Sequence, residues 1–280
     1  MEKKSKILMV FLLLSMAWLA DCVTAADSFG SQNLRITYVK LPLNVPAVVI
    51  KHLKLLEQEF GPEGMVIERP EITSGGKQIQ ALAAGSIDIA SVISSTSAIA
   101  ARANGLDLKI VSVFARAPRA FNIVTTNPAV KDISDLKARK VAGPKGSLLN
   151  QTLFTALIDN GLGPEDVGYV HMGASKALAA LIGGSVDAAL IAGPLVPKAE
   201  SQGARILATG EGLVKGLIVT AVKESFLATH PKVIKRYLAV HRKALEFMKK
   251  NPEKTYQIVA SETGIHVDDV RRMYPWYDFN

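Results

Sequence analysis

The chain carries one helix-turn-strand pattern twice. Lys77–Ala90 and Lys176–Ala189 share an apolar helical run, a Gly-Ser pair and an Asp on a short strand, and the two copies are 99 residues apart. Gly85 and Gly184 stand where a helix ends in the left-handed conformation. The duplication predicts two similar α/β lobes, and a cleft between such lobes is a common place for a small ligand.

The N-terminus predicts an export signal. A charged start is followed by Ile7–Ala20, an apolar run of 14 residues that is too short to span a bilayer. We expect cleavage after Ala25 or Ala26. The alternative is lipoprotein processing at Cys22, which Asp21 disfavours because a small uncharged residue is expected there. Either route places the protein in the periplasm or on the outer face of the cytoplasmic membrane.

The secreted chain is basic and has no cysteine. The net charge of +8 falls to +7 without the first 26 residues, which hold three Lys, two acidic residues and the single Cys. Stability must therefore come from apolar cores, without a disulfide or a thiolate metal site. The positive charge favours an anionic partner. Nucleic acid is disfavoured as a partner, because the basic residues are neither interleaved with aromatics nor gathered on one segment.

Strands and helices alternate along the chain, which predicts parallel sheets. The pattern restarts after Arg119, so we predict an α/β protein of two similar lobes. The predicted divisions are an export signal (1–26), a first lobe (27–117), a second lobe (118–215) and a return segment with C-terminal helices that pack toward the first lobe (216–280).

Two predicted strand-helix loops carry groups that hold anions. Ser94, Ser95 and Thr96 follow one strand, and Gly146 and Ser147 follow another. Their hydroxyls and first-turn amides can converge on negative charge at the positive end of a helix dipole. Ligands of open α/β sheets lie beyond the carboxyl ends of the strands. We therefore predict that these five residues bind the ligand from opposite sides of the cleft.

Three further residues are predicted ligand contacts. Asn44 stands at the first strand-helix junction, where it can also cap the helix predicted over residues 46–60. Arg116 and Arg119 lie where the chain crosses between the lobes, and each can clamp a carboxylate or sulfonate with two hydrogen bonds. Few aromatic residues lie near any of these loops in the sequence.

No pattern of catalytic or metal-binding residues stands out. The five His are scattered, and neither a His-Glu-x-x-His motif nor a Gly-x-Ser-x-Gly elbow occurs. We predict no enzymatic activity, no metal and no cofactor. Asp88 and Asp187, at equivalent places in the repeat, are predicted to bond nearby backbone amides rather than a ligand.

The leader, the paired Gly-Ser-Ile/Val-Asp units, the helix start at Ser147 and the closing Tyr274–Tyr277 segment resemble the solute-binding proteins of nitrate, sulfonate and taurine ABC importers. The resemblance implies the type II periplasmic-binding fold, in which two Rossmann-like lobes joined by two hinge segments close on a small anion and present it to a permease. It implies the same loop residues as ligand contacts, and a free receptor of this kind is expected to be a monomer.

Other readings use the same fold. A binder of a thiamine-pyrimidine precursor, riboflavin or an aromatic carboxylate would need an aromatic-rich cleft. An enzyme of the thiamine-pyrimidine type would need several cysteines at an iron site, and the chain has one. A sensory domain would need a DNA-binding segment or a second membrane span, and the sequence offers neither.

Overall fold

The computed structural model describes residues 33–40 and 44–279. The predicted export signal and Cys22 lie outside the described residues. Within these residues, no helix combines the length and the apolar character needed to cross a membrane.

The described strands form two groups of five, which define the lobes. The first lobe contains β1 (Asn33–Arg35), β2 (Val66–Glu68), β3 (Ile89–Ser94), β4 (Leu108–Arg116) and β10 (Leu217–Lys223). The second lobe contains β5 (Phe121–Thr125), β6 (Lys140–Gly143), β7 (Gly168–His171), β8 (Ala188–Ala192) and β9 (Arg205–Thr209).

The two lobes share one strand order. The second sheet runs β7-β6-β8-β5-β9. In the first lobe, β2-β1 and β3-β10-β4 are separate ladders, and an isolated bridge between Ile36 and Ile89 joins them. The resulting order, β2-β1-β3-β10-β4, matches the order of the second sheet position for position. The repeat in the sequence therefore corresponds to a repeat in the fold.

The prediction of parallel sheets is correct for only part of each sheet, because β1–β2, β6–β7 and β6–β8 pair in parallel and the other pairs do not. β10 runs antiparallel to β3 and β4, and β5 runs antiparallel to β8 and β9. These two strands enter their sheets directly from the other lobe. They are not linked to their neighbours by the helical crossover that forces parallel pairing. The helices lie where the repeat places them, and the fold remains α/β.

The helices follow the sequence prediction with three differences. A left-handed residue, Lys54 (φ 54°), breaks the helix predicted over 46–60. The other two differences are short helices that were not predicted, Leu195–Ser201 and Glu224–Thr229. The described helices are α1 (Val45–His52), α2 (Leu55–Phe60), α3 (Gly75–Ala83), α4 (Ser95–Ala103), α5 (Leu148–Asp159), α6 (Ala174–Ile182), α7 (Leu195–Ser201), α8 (Glu224–Thr229), α9 (Pro231–Lys250), α10 (Pro252–Thr263) and α11 (Val267–Met273).

The repeated Asp residues have the structural role that was predicted. The Asp88 carboxylate accepts the backbone N–H of Arg35 at 2.8 Å, and the Asp187 carboxylate accepts the backbone N–H of Lys140 at 3.0 Å. Both carboxylates thus tie adjacent strands together at the end of the sheet opposite to the carboxyl ends of β3 and β6. The glycines before them, Gly85 and Gly184, both have φ of +70°.

The chain crosses between the lobes at two places that lie side by side. The first crossover (residues 117–120) follows β4, and the second crossover (residues 210–216) precedes β10. The Ala117 N–H donates to the Gly216 carbonyl at 3.0 Å, and the Gly210 N–H donates to the Phe121 carbonyl at 2.8 Å. The crossovers therefore form one hydrogen-bonded connection between the sheets.

The C-terminal part of the chain packs on the first lobe. Helices α9 and α10 contact α1, and their apolar faces complete the core around Phe60 and Phe114. The tail segment (residues 274–279) then returns to the end of β4, where Arg116 and Asp278 exchange two backbone hydrogen bonds of 2.7 Å. The C-terminal tail thus meets the end of β4 beside the first crossover.

Candidate functional site

Each lobe presents a helix start at the carboxyl end of a parallel strand. Ser94 is both the last residue of β3 and the N-cap of α4. In the second lobe β6 ends at Gly143, and a short loop leads to Ser147, the N-cap of α5. These ends of β3 and β6 are the ends near the crossovers. The two predicted loops therefore occupy corresponding places on the two lobes.

The start of α4 is organised around the Ser94 hydroxyl. Its Oγ accepts the Ser97 N–H at 3.1 Å and lies 2.8 Å from both the Thr96 and the Ser97 hydroxyl oxygens. The backbone amides of Ser95 and Thr96, the first two of the helix, find no acceptor among the described residues. Three hydroxyls and two unbonded amides thus collect at the positive end of this helix dipole.

The start of α5 is built from a tighter loop. The Ser147 Oγ accepts the Asn150 N–H at 3.3 Å and donates to the Pro144 carbonyl at 2.7 Å. The Gly146 N–H donates to the Asn150 Oδ1 at 3.2 Å. Gly146 has φ of +68°, a left-handed conformation that glycine adopts at little cost. This loop brings the backbone close to the helix axis.

Donors remain unpaired at the start of α5 as well. The amides of Leu148 and Leu149 have no acceptor among the described residues. The Asn150 side-chain nitrogen is also buried, and it interacts with the buried hydroxyl of Tyr169. On the neighbouring strand, burial raises the pKa of Tyr169 to about 12, while the Asn150 side chain acts in the opposite direction. The second lobe therefore also offers donors in need of an acceptor, which is the requirement of an anion site.

A cavity of about 600 Å³ lies at the crossovers between the lobes. Arg116, Arg119 and Lys215 supply positive charge to its wall, and Trp276 and Tyr277 of the tail segment supply rings. Gln151, one turn after Ser147 along α5, also lines it. Along the axis of α5, the cavity-lining residue Gln151 is therefore about 6 Å from Ser147, the N-cap in the predicted second-lobe loop.

The first-lobe loop is also close to this cavity. Ser94 pairs with Ile218 in the sheet, and Ile218 pairs with Ala115 at the end of β4. Two strand spacings place Ser94 about 10 Å from the residue before Arg116. The helix starts do not line the cavity themselves, but both lie beside it.

The cations of the cavity are incompletely neutralised. The Arg116 Nη1 lies 3.7 Å from the Asp278 Oδ2, and the Arg119 Nε lies 3.6 Å from the Glu211 Oε2. Both distances exceed the 2.7–2.9 Å of a strong charge-assisted hydrogen bond. Lys215 has no ion-pair partner among the described residues. The cavity wall is thus net positive.

The predicted site residues fall into three groups. Ser94, Ser95 and Thr96 gather at α4, Gly146 and Ser147 gather at α5, and Arg116 and Arg119 share the cavity wall, with side chains about half exposed. Each group reaches the boundary between the lobes.

Asn44 does not cap the first helix as predicted. Its side chain turns back and donates to the Val39 carbonyl at 2.8 Å, and it makes no capping hydrogen bond. The residue is buried, and its Oδ1 has no partner among the described residues. Its backbone has φ −88° and ψ 66°, which is outside the extended conformation typical of an N-cap residue.

The aromatic residues of the cavity were not predicted. Trp276 and Tyr277 stand more than 150 positions after Arg116 in the sequence, and the pairing of Asp278 with Arg116 and the packing of Trp276 on both apolar clusters bring them to the crossover. The Tyr274–Tyr277 motif was a sequence signal, but it gave no position in space. Few aromatic residues lie near the predicted ligand-binding loops in the sequence, but the fold brings Trp276 and Tyr277 to the cavity beside them.

The potential metal ligands of the described residues are dispersed. No three His, Cys, Asp or Glu side chains within residues 33–40 and 44–279 come close enough together to hold a metal ion.

Comparison with known proteins gives concordant results. The family model described as NMT1/THI5 like matches residues 60–255. A protein of Escherichia coli (strain K12), whose name proposes binding of aliphatic sulfonates, is 32% identical over 86% of this chain and 74% of its own.

Two solved structures are similar over nearly the whole described chain. The periplasmic aliphatic sulphonate binding protein SsuA of Escherichia coli has a TM-score of 0.78 and 29% identity, covering 89% of this chain and 84% of its own. The alkanesulfonate-binding protein SsuA of Xanthomonas axonopodis pv. citri, solved bound to MOPS, has a TM-score of 0.81 and 25% identity, covering 90% and 86%.

Proposed function

Because the chain belongs to the NMT1/THI5-like family, we propose that it is the solute-binding protein of an ABC importer and captures a small anion by closure of its two lobes. One observation carries this proposal: each lobe presents a helix start with unbonded amides and hydroxyls, and both starts lie beside the crossovers. Helix starts of this kind bind sulfonate, nitrate, carboxylate and phosphate groups.

The proposed mechanism uses the crossovers as the hinge. An anion bound first at one helix start leaves part of its negative charge exposed to water. Rotation about residues 117–120 and 210–216 would bring the second helix start against it and complete its hydrogen bonds. The closed form is the one that a permease in the cytoplasmic membrane would recognise. A hinge at these residues agrees with the proposed division of the lobes after residues 117 and 215.

We assign the ligand contacts as the sequence predicted them. Ser94, Ser95 and Thr96 act from the first lobe, Gly146 and Ser147 from the second, with the guanidinium groups at the crossover adding charge. These groups are Arg116 and Arg119. Asn44, being buried, would act by holding the loop after β1 in place through its bond to Val39.

The proposed ligand class follows from the relatives and from the site. Relatives are named for sulfonates and for taurine, which are small organic anions. A second candidate is an aromatic carboxylate or a pyrimidine, which Trp276 and Tyr277 at the cavity favour. We propose a monomer located outside the cytoplasmic membrane and no enzymatic activity, since the relatives are named as binding proteins and one of them as periplasmic.

The experiment compares two substitutions of the same shape. Ser147→Asp and Ser147→Asn both keep a good helix N-cap, but only Asp adds a negative charge where the anion would bind. Ligands would first be found by thermal shift with ethanesulfonate, taurine, nitrate and benzoate, since a ligand at 100 times its Kd adds about 2.7 kcal/mol to stability. We expect Asp to abolish binding of the hit and Asn to retain most of it. Equal affinity of the two variants would contradict the site.

A further inference from the structure

We infer that the ligand carries a flat aromatic ring beside one anionic group, and that the crossover cavity holds this ring against Trp276. The inference rests on the proposed function, because it names the kind of organic anion that the same cleft selects. It depends on the shape, the charge and the ring content of the cavity, each of which gives a separate argument.

The position of Trp276 is fixed from both lobes. Its half-buried side chain packs against the main apolar core, which contains the buried residues around Phe60 and Phe114 of the first lobe. It also packs against the second-lobe cluster around Val196 and Ala199. The remaining surface lines the cavity. A ring held on two sides presents an ordered platform, so a stacking ligand loses little freedom by ordering it.

The neighbouring Tyr277 supports the same interpretation. Its ring is buried and stacks on Phe279 with a centroid separation of 5.7 Å and an interplanar angle of 6°. Its hydroxyl is buried without a hydrogen-bond partner among the described residues. Because this hydroxyl has almost no accessible surface, Tyr277 contributes to the cavity wall through its ring and backbone and not through a polar contact.

The charge of the wall indicates a monoanion. Arg116 pairs with Asp278 and Arg119 pairs with Glu211, whereas Lys215 adds a third positive charge to the wall without an ion-pair partner among the described residues. One positive charge remains. A ligand with a single sulfonate or carboxylate neutralises this excess, and a dianion would exceed it.

The volume favours a ring over a short alkyl chain. A cavity of about 600 Å³ lies within the range of about 300–1,000 Å³ that is usual for ligands of drug size. Ethanesulfonate or taurine would leave most of this space to water and the Trp276 face uncovered. A benzene ring beside the anionic group covers that face, and such ring pairs add roughly 2- to 10-fold in affinity.

The test uses isothermal titration of the full chain with three sulfonates. Benzenesulfonate carries the ring, cyclohexanesulfonate has a similar size without aromatic character, and ethanesulfonate has neither. We expect benzenesulfonate to bind most tightly. Trp276→Leu should weaken benzenesulfonate roughly tenfold and leave ethanesulfonate unchanged, whereas Trp276→Phe, which keeps a ring, should retain most of the affinity. The melting temperature of each variant controls for damage to packing.

A second readout uses the tryptophan itself. The chain has two Trp, at positions 18 and 276. In a Trp18→Phe variant the emission comes from Trp276 alone. Saturation with benzenesulfonate should change its intensity or maximum, and saturation with ethanesulfonate should leave it nearly constant.

The outcomes separate the inference from the proposed function. Equal affinity for benzenesulfonate and ethanesulfonate, or an unchanged benzenesulfonate affinity in folded Trp276→Leu, would overturn the inference and leave the anion receptor intact. No binding of any anion by the unmodified chain, nitrate and taurine included, would overturn both. Loss of every ligand in folded Trp276→Leu would also overturn the inference, because the effect would not depend on the ring.

Discussion

The Arg272 Nη2 lies 2.6 Å from the Glu200 Oε2, so an ion pair joins helix α11, which packs on the first lobe, to helix α7 of the second lobe. Because the pair bridges the two lobes, it restrains the angle between them.

Reversal of one charge of this pair should favour separation of the lobes. Arg272→Glu places two carboxylates together, while the Arg272→Glu/Glu200→Arg double variant restores the attraction. Exposed pairs contribute about 0.2–1 kcal/mol, so the ratio of open to closed forms should change at most about fivefold. Small-angle scattering without ligand should give a larger radius of gyration for the single variant and the original value for the double variant. Identical radii in all three proteins would mean that the pair has no part in the lobe angle.

Gly216 sets the distance between the crossovers. A Cβ at this residue would lie 2.4 Å from the Pro118 nitrogen, and its φ is +60°. Gly216→Ala should therefore cost about 2–5 kcal/mol, from the left-handed conformation and the forced displacement together. Gly212→Ala is the matched control, because φ is +78° there but a Cβ meets nothing within 4 Å, so only about 1–2 kcal/mol is expected. Urea unfolding measures both, and equal losses would contradict the close contact.

Asp187 should stabilise the fold without affecting the ligand. Burial opposes its charge, but hydrogen bonds from the Lys140 amide and from Asn127, together with Arg139, hold its pKa below the ordinary value. Asp187→Asn should cost about 1–3 kcal/mol at pH 7. Since the folded pKa is depressed, this stabilisation is present above the unfolded value near 3.9 and is lost as pH falls through the folded pKa.

The measurement for Asp187 has two parts. The difference in unfolding free energy between Asp187→Asn and the unmodified chain should narrow below pH 4. Ligand affinity at pH 7 should be the same in both, because the carboxylate lies at the far end of the sheet. A lost affinity with unchanged stability would place Asp187 in the site instead.

His241 should make the first lobe sensitive to mild acid. The ring is buried beside Phe114, with centroids 5.3 Å apart, and neither ring nitrogen has a hydrogen-bond partner among the described residues. Burial, with a smaller effect of Arg242, lowers the pKa of His241 to about 4. The unfolded chain thus binds a proton below pH 6.5 that the folded chain binds only near pH 4, so about 3 kcal/mol of stability is lost across this window as pH falls.

His241→Phe removes this titration and keeps a ring against Phe114. Between pH 7 and pH 4, the unfolding free energy of the variant should fall by about 3 kcal/mol less than that of the unmodified chain. The other titratable groups are the same in both proteins, so their effects cancel in this difference. Chemical denaturation at pH 7, 5.5 and 4 measures the difference. Parallel pH profiles of the two proteins would show that the histidine is charged or solvated in the folded state.

Sequence patterns predicted the local parts of this fold and missed the parts that depend on distant pairing. Gly85 and Gly184 end their helices as expected, because a left-handed glycine after an apolar run is a local signal. The break at Lys54 has no such signal, since a non-glycine residue rarely takes this conformation. The antiparallel places of β5 and β10 depend on which lobe the chain enters, and periodicity within a strand carries no information on that.

The site shows the same division. The hydroxyl-rich helix starts at Ser94 and Ser147 follow from residue type and position relative to a strand. Trp276 could not be placed, because its position depends on the packing of α11 and on one backbone pairing with β4. Asn44 stands at the N-cap position of α1 as expected, but its side chain donates to the Val39 carbonyl and makes no capping hydrogen bond. The residue type alone does not determine which of these two partners the side chain takes.

The position of β10 has a consequence for the order of folding. The second lobe is one uninterrupted stretch of chain, so all five of its strands are available once β9 has been synthesised. The first lobe lacks its inner strand until residues 217–223 emerge, and before then β3 and β4 have no common partner to pair with. A lobe that begins earlier in the sequence is thus completed later, which reverses the N-to-C order usual for domains during synthesis. The nascent protein must keep the apolar strands of its first half from aggregating for about a hundred residues of further elongation.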